Sequence, residues 1–204
     1  MINITFLGTG SAIPTAKRNH PSIFLQYNGE GMLFDCGEGT QRQIRIANLN
    51  PCRIKKIFIS HWHGDHVLGL PGLLQTLVLN EYSQTLEVYG PKGSKKHFDN
   101  LMNMFVGIGN LNFSVKECSK GKIVDGDDYF IEAEEMEHGT PCLAYSFVLK
   151  DKLRIDKKKL LKLKLPSSSK LKQLKDGNDV IIDGKKIKHK ELTYLEKGKK
   201  ISFI

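Results

Sequence analysis

Long apolar runs are missing from this sequence: each breaks off within about ten residues, well short of the roughly 20 a membrane-crossing helix needs. The chain is expected to have no membrane span. A basic leader is missing too, since M-I-N-I-T-F-L enters a strand pattern at once, so no secretory signal is expected. Cysteine is scarce. Cys36, Cys52, Cys118 and Cys142 form no CxxC pair, which argues against a disulfide scaffold and favours reduced thiols in a cytoplasmic protein. Acidic residues are outnumbered, and the imbalance is local. Residues 150–204 hold 18 Lys and Arg against 7 Asp and Glu, a net +11, whereas residues 1–149 carry a net −2. A near-neutral body with a basic end suits a polyanion partner; a solvated lysine-rich surface explains the charge as well. What remains is ordinary for a globular chain of 204 residues, with 40% apolar and 26% charged side chains.

Alternating and apolar runs predict strands at 2–7, 22–27 and 31–36, the last two joined by a turn at Asn28-Gly29. Residues 38–48 read as a helix, 57–60 as a buried strand, and 69–79 and 93–105 as helices. Further strands are expected at 85–90, 111–117, 129–136, 143–149 and 180–183, with 200–204 returning as a last one. Mixed strands and helices point to an α/β sandwich. Residues 150–197, rich in lysine and broken by Pro166 and three serines, read as an arm projecting from the body.

The sharpest feature is I-S-H-W-H-G-D-H, where His61, His63, Asp65 and His66 offer four metal donors within six residues, behind a strand. Imidazole and carboxylate at this spacing can serve two adjacent divalent cations, and zinc accepts both donor types. Gly64 would let the loop bend so that the side chains converge. His138, ending the run Y-F-I-E-A-E-E-M-E-H-G, is a plausible remote ligand; alone it would read as a surface residue. His20, His97 and His189 receive no metal role.

Two further stretches flank the cluster. F-L-G-T-G-S-A-I-P-T-A-K-R-N places Gly8 and Gly10 after a strand and Lys17 and Arg18 as cations for phosphate. By itself such a glycine loop is usually only a turn. F-D-C-G-E-G-T-Q-R-Q places Asp35 at a strand end, where it could accept a hydrogen bond from a ligating histidine.

Together, in this order, FLGTGSAIPTAKRN, FDCGEGTQRQ, IFISHWHGDHVLGLPGLL and EMEHGTPCLAYSF resemble the ribonuclease Z family, tRNA 3′-processing endonucleases of the metallo-β-lactamase superfamily. The histidine motif alone would give only the superfamily. The resemblance implies the αββα sandwich, of which residues 1–149 would be the first half of the core. It implies that His61, His63 and His138 hold one Zn2+, that Asp65 and His66 bind a second, and that Asp65 is the general base. Lys17, Arg18 and Asn19 would touch RNA beyond the cut. Residues 150–197, with Lys170 and Lys172, would be the basic tRNA-binding arm, and 198–204 the start of a returning core strand. The implied partner is precursor tRNA, the implied assembly a homodimer, and the implied reaction removal of the 3′ trailer. Water activated at the metals would leave a 3′-hydroxyl on the tRNA and a 5′-phosphate on the trailer.

The chain departs from that pattern in two ways. Serines at 167–169 stand where many relatives carry a Gly-Pro turn in the arm. The family's bridging aspartate, its leaving-group histidine and its last histidine ligand would lie beyond Ile204. The expectation is therefore a chain with one complete histidine trio and part of a second site, unstable and nearly inactive alone. Alternatives are another hydrolase of the same fold, such as a phosphodiesterase or arylsulfatase, and a non-catalytic RNA-binding fragment. The basic arm argues against the first.

Overall fold

A computed structural model of the chain describes residues 1–104, 111–163, 171–182 and 184–204. The elements run β1 (Ile2–Gly8), β2 (Ser22–Tyr27), β3 (Glu30–Phe34), α1 (Thr40–Ile46), β4 (Ile54–Phe58), α2 (Gly64–Val67), α3 (Leu70–Leu79), β5 (Leu86–Gly90), α4 (Ser94–Asn103) and β6 (Phe113–Glu117). Next come β7 (Gly121–Asp125), β8 (Tyr129–Met136), β9 (Cys142–Leu149), β10 (Lys152–Ile155), α5 (Lys157–Lys162) and α6 (Leu171–Lys175). The chain closes with β11 (Val180–Ile182), β12 (Lys185–Ile187), α7 (His189–Leu192), β13 (Thr193–Glu196) and β14 (Lys200–Phe203). Strands β1 to β6 form one sheet in chain order, β14-β9-β8-β7 a second, and β10-β13 and β11-β12 two small two-stranded sheets.

In the large sheet β1, β2 and β3 pair antiparallel, and β3 to β6 run parallel. Asn28 and Gly29 both have positive φ, at 49° and 81°, as the expected two-residue hairpin turn requires. The parallel strands are apolar on both faces because both are covered. Leu33, Ile57 and Val88 lie side by side and join Ile44 of α1 with Leu70, Leu73, Leu74 and Leu77 of α3 in one buried cluster. The neighbouring residues Phe34, Phe58 and Tyr89 point the other way, stacked at 5.0 Å between successive ring centroids. Phe203 stacks on Phe34 at 3.8 Å and Tyr145 tilts against Phe58 at 5.3 Å.

Tyr145 is buried and its hydroxyl donates to the Ile59 carbonyl at 2.7 Å. Tyr145→Phe leaves that carbonyl unpaired, so chemical denaturation should show a loss of about 1–2 kcal/mol.

Contacts group the chain into two compact units, residues 1–123, 132–146 and 202–204 in one, and 124–131 and 147–201 in the other. Within the second, β10 pairs with β13 and β11 with β12. Leu171, Leu174, Val180, Ile182, Ile187 and Leu192 make a small apolar core. The basic stretch thus has its own interior. Strands β7, β10 and β13 were not expected from sequence. They hold four or five residues each, too short for alternation to stand out among lysines. Among the described residues no helix is long and apolar enough to cross a membrane.

Candidate metal centre

Ligands in open α/β sheets gather beyond the carboxyl ends of parallel strands, and the candidate residues leave the sheet at that edge. Asp35 follows β3 with φ 56°, a left-handed conformation that Asp tolerates better than most residues. Its carboxylate accepts from the Ser60 amide at 2.7 Å and the Ser60 hydroxyl at 2.8 Å, and its second oxygen lies 2.7 Å from His66 Nδ1. Asp35 therefore takes the histidine hydrogen bond expected of it. The two loops are also joined through their backbones: Cys36 N–H donates to His66 O at 2.8 Å and Gly69 N–H to Cys36 O at 2.9 Å. A Cβ on Gly69 would fall 2.0 Å from the Gly37 carbonyl oxygen, so only glycine permits this approach. Gly64, expected to supply the bend, instead begins α2 and is absent from the positive-φ glycines.

The structure brings His61, His63 and His138 together, with one ring nitrogen from each within 4.8 Å of the others. His61 is buried, and His63 and His138 are exposed. His61 Nε2 and His63 Nδ1 face each other at 3.1 Å. Tetrahedral zinc at about 2.0–2.1 Å from each nitrogen puts ligand nitrogens about 3.3 Å apart, so the donor set fits such an ion. His138 reaches the trio from the turn after β8, its ring 4.4 Å from that of His61. The Ser60 hydroxyl lies 3.0 Å from His61 Nδ1 and so orients the ring from behind. Ser60 escaped the sequence reading, its only signal being its place immediately before His61.

Burial, then the nearby His66, with smaller effects of His138 and His63, lowers the pKa of His61 to about 4 despite Asp35. His61 therefore offers a neutral imidazole, as metal ligation requires, even in mildly acidic solution. Burial also opposes charge on His66, but the hydrogen bond and charge of Asp35, with Asp65, outweigh it and raise the pKa. His66 Nε2 lies 3.5 Å from Asp65 Oδ2. Asp65, His66 and the three other histidines line one cavity of about 680 Å3, walled on its apolar side by Phe34, Phe58 and Tyr145.

The other candidate residues lie elsewhere. Lys17, Arg18 and Asn19 border a second cavity, and Asn19 donates its side-chain amide to Glu38 O at 2.6 Å. Its amide is committed to holding the loop. Lys172 belongs to α6, and Lys170 lies outside the described residues. His97 stacks on Trp62 at 5.3 Å, and His189 pairs with Asp179 at 3.2 Å. His20 is buried with both ring nitrogens unpartnered. All four cysteines are free, and burial pushes the Cys36 thiol well above its usual range.

Fold and cluster together define a protein of the metallo-β-lactamase fold. The metallo-β-lactamase fold protein YhfI from Bacillus subtilis superposes on 72% of the chain, and the chain on 57% of YhfI, with a TM-score of 0.60 at 18% identity. The chain belongs to the ribonuclease Z family and, over residues 2–156, to the sequence family described as anti-Pycsar protein Apyc1, whose profile it matches. Ribonuclease Z of Nanoarchaeum equitans is 45% identical over 201 residues, 98% of this chain and 63% of that relative. Ribonuclease Z of Pyrococcus abyssi is 40% identical over 205 residues, 100% of this chain and 67% of the relative. Human tRNase Z, short form, has a TM-score of 0.66 at 35% identity, covering 74% of this chain and 64% of the human one. The chain thus spans about two thirds of the length of these relatives.

Proposed function

We propose that the chain carries the metal site and an RNA-binding surface of a zinc-dependent endoribonuclease. Its reaction would remove the 3′ trailer from precursor tRNA, leaving a 3′-hydroxyl on the tRNA and a 5′-phosphate on the trailer. The convergence of His61, His63 and His138 in one cavity with Asp65 and His66 carries this reading. The match to the Apyc1 profile ends at residue 156, whereas the likeness to ribonuclease Z of N. equitans covers 98% of the chain. That favours the tRNA enzyme over another hydrolase of this fold.

In this reading His61, His63 and His138 hold one zinc, and Asp65 and His66 belong to the site of a second. When bound, the metals activate water at neutral pH and offset charge on the phosphoryl oxygens. Asp65 accepts the proton of the attacking water. The water oxygen bonds to phosphorus as the P–O3′ bond breaks, and O3′ leaves with the tRNA, taking up a proton to become its 3′-hydroxyl. Asp35 holds His66 by Nδ1 and leaves Nε2 facing Asp65. Assembly as a homodimer is part of the reading.

The second unit would grip folded RNA by charge and shape. Lys150, Lys152, Arg154 and Lys197 are paired with carboxylates. Among the described residues Lys157, Lys158, Lys159 and Lys162 of α5 have no ion pair. Changing these four to Gln should weaken tRNA binding and lower the slope of log affinity against log salt by up to about 0.9 for each phosphate no longer neutralised. Filter binding across a salt series reads both.

To test the reaction, the chain is fused ahead of the C-terminal third of the N. equitans relative and given precursor tRNA with zinc. Cleavage at the trailer junction, lost with His63→Ala, supports the reading. A folded, zinc-loaded chimera that hydrolyses bis(p-nitrophenyl) phosphate but spares precursor tRNA would sink it.

A further inference from the structure

Trp62, the only tryptophan in the sequence, stands between two of the candidate ligands. His63 is extended, with φ −70° and ψ 149°, and in extended backbone successive side chains point to opposite faces. His61 and His63 accordingly line the cavity that holds the trio, whereas Trp62 packs against the buried cluster formed with α1 and α3. A half-buried indole needs a partner for its N–H. Trp62 Nε1 donates to Ser94 Oγ at 2.8 Å, at the start of α4.

That acceptor is itself fixed. Ser94 is fully buried, and its hydroxyl donates to the Pro91 carbonyl at 2.6 Å, which leaves a lone pair for the indole. A Cβ on Gly90 would fall 2.3 Å from Ser94 Oγ, so the glycine that ends β5 makes room for the hydroxyl. His97, one turn further along α4, stacks on the indole with ring centroids 5.3 Å apart and 24° between the planes. Main-chain bonds hold the loop on either side of Trp62: Ser60 O accepts from Leu143 N–H at 2.9 Å, and His63 O from His66 N–H at 3.0 Å. The indole ties the segment between them to β5 and α4, which carry none of the candidate ligands. Packing alone would be met by any large apolar side chain. A directed bond to a buried, already committed hydroxyl is what a tether requires.

We infer that Trp62 is a positioning residue for the metal centre: its indole, tethered to Ser94, fixes the main chain between His61 and His63 so that both imidazoles meet one ion. His61 Nε2 and His63 Nδ1 face each other at 3.1 Å. Two ligands separated by one residue keep that spacing only if the peptides between them do not rotate. The tether makes the spacing part of the fold. The inference rests on reading His61, His63 and His138 as one zinc site.

The test measures zinc affinity of the 204-residue chain by competition with a chromophoric chelator, in Trp62→Phe, Ser94→Ala and the double variant. Trp62→Phe keeps an aromatic ring against the cluster but loses the N–H, and Ser94→Ala removes the acceptor but keeps the indole. Each should bind zinc about three- to tenfold more weakly, less than the 10–100-fold usual for a group bonded directly to a ligand, because the tether acts through the main chain. The double variant should lie within about twofold of the weaker single one, since both changes break the same bond. With cobalt(II) in place of zinc, visible absorption follows ligand geometry and should change in both single variants. A purely structural role would lower melting and leave affinity and spectrum of the folded protein as in the parent. Melting in EDTA checks that each variant is folded during titration, and Ser94→Ala, which removes one oxygen, keeps the test decisive if Trp62→Phe unfolds. Parent-like zinc affinity in a folded single variant overturns the inference, as does a double variant whose loss is the product of the two. A parent chain that binds no zinc overturns the reading of the trio and this inference together, whereas a zinc-binding parent with unaffected variants overturns this inference alone.

Discussion

Replacing Asp35 by alanine is expected to lower the stability of the chain by about 2–4 kcal/mol, and to loosen its hold on zinc. Three donors converge on this one carboxylate: the Ser60 amide, the Ser60 hydroxyl and His66 Nδ1. Alanine leaves the part-buried amide without an acceptor, which costs about 1–3 kcal/mol. It must also hold φ 56°, a conformation in which Ala is strained by about 1 kcal/mol or more. For a chain of this size each kcal/mol lowers Tm by about 2–4 °C, so melting should fall by roughly 5–15 °C. Asp35→Asn separates the two effects. Asparagine tolerates the left-handed conformation and can still accept from Ser60, but it brings no charge to His66. Stability and zinc affinity at the His61–His63–His138 trio should be largely kept, because Ser60, which backs His61, keeps its acceptor, and only the charge-assisted hold on His66 is lost. An Asp35→Ala protein that melts like the parent would refute the structural part of this account.

His63→Ala should have the larger effect on the metal itself. The parent chain is expected to bind one equivalent of zinc tightly. Only His61, His63 and His138 bring three donor atoms within 4.8 Å among the described residues. Removing His63 leaves two nitrogens and opens the position that faces His61 Nε2 at 3.1 Å. Loss of a direct ligand should exceed the 10–100-fold cost of losing an outer partner, so an affinity drop beyond about 100-fold is expected. Competition with a chromophoric chelator measures it. Because His63 is exposed, the fold should be little affected, and unchanged melting in EDTA is the matching control. Two tight equivalents in the parent, or parent-like affinity in His63→Ala, would show that the trio is not the principal site.

Much of the site could be read from the sequence because its donors are close in the chain. His61, His63, Asp65 and His66 follow one buried strand, and any fold that ends β4 at Phe58 delivers them together. His138 was legible through its place after a strand-like run, although only the fold shows that β8 aims it at the trio. Asp35 was legible as a strand-end carboxylate, but its left-handed backbone and its hold on Ser60 were not. The structure adds that Asn19, expected from sequence to touch RNA, also ties its loop to Glu38 O through its side-chain amide. In the basic stretch, β10 and β13 pair across some forty residues, Lys152 opposite Glu196 and Ile155 opposite Thr193. No local pattern reports a partner that distant. The short strand β11, Val180–Ile182, falls within the strand expected at 180–183, because its apolar run stands out among the lysines.

The contact of Gly69 with Gly37 bears on how a metal would come and go. The loop that bears the histidines is sewn to the loop that bears Asp35 by main-chain bonds that no side-chain replacement removes. Its shape is thus a property of the apoprotein. In many small zinc domains the ion is what folds the chain, and a chelator unfolds them. Here demetallation and unfolding would be separate events. An ion that binds a ready-made cradle forfeits little of its binding energy to ordering, so the ligands can be as few as three and one of its faces can stay open to a substrate.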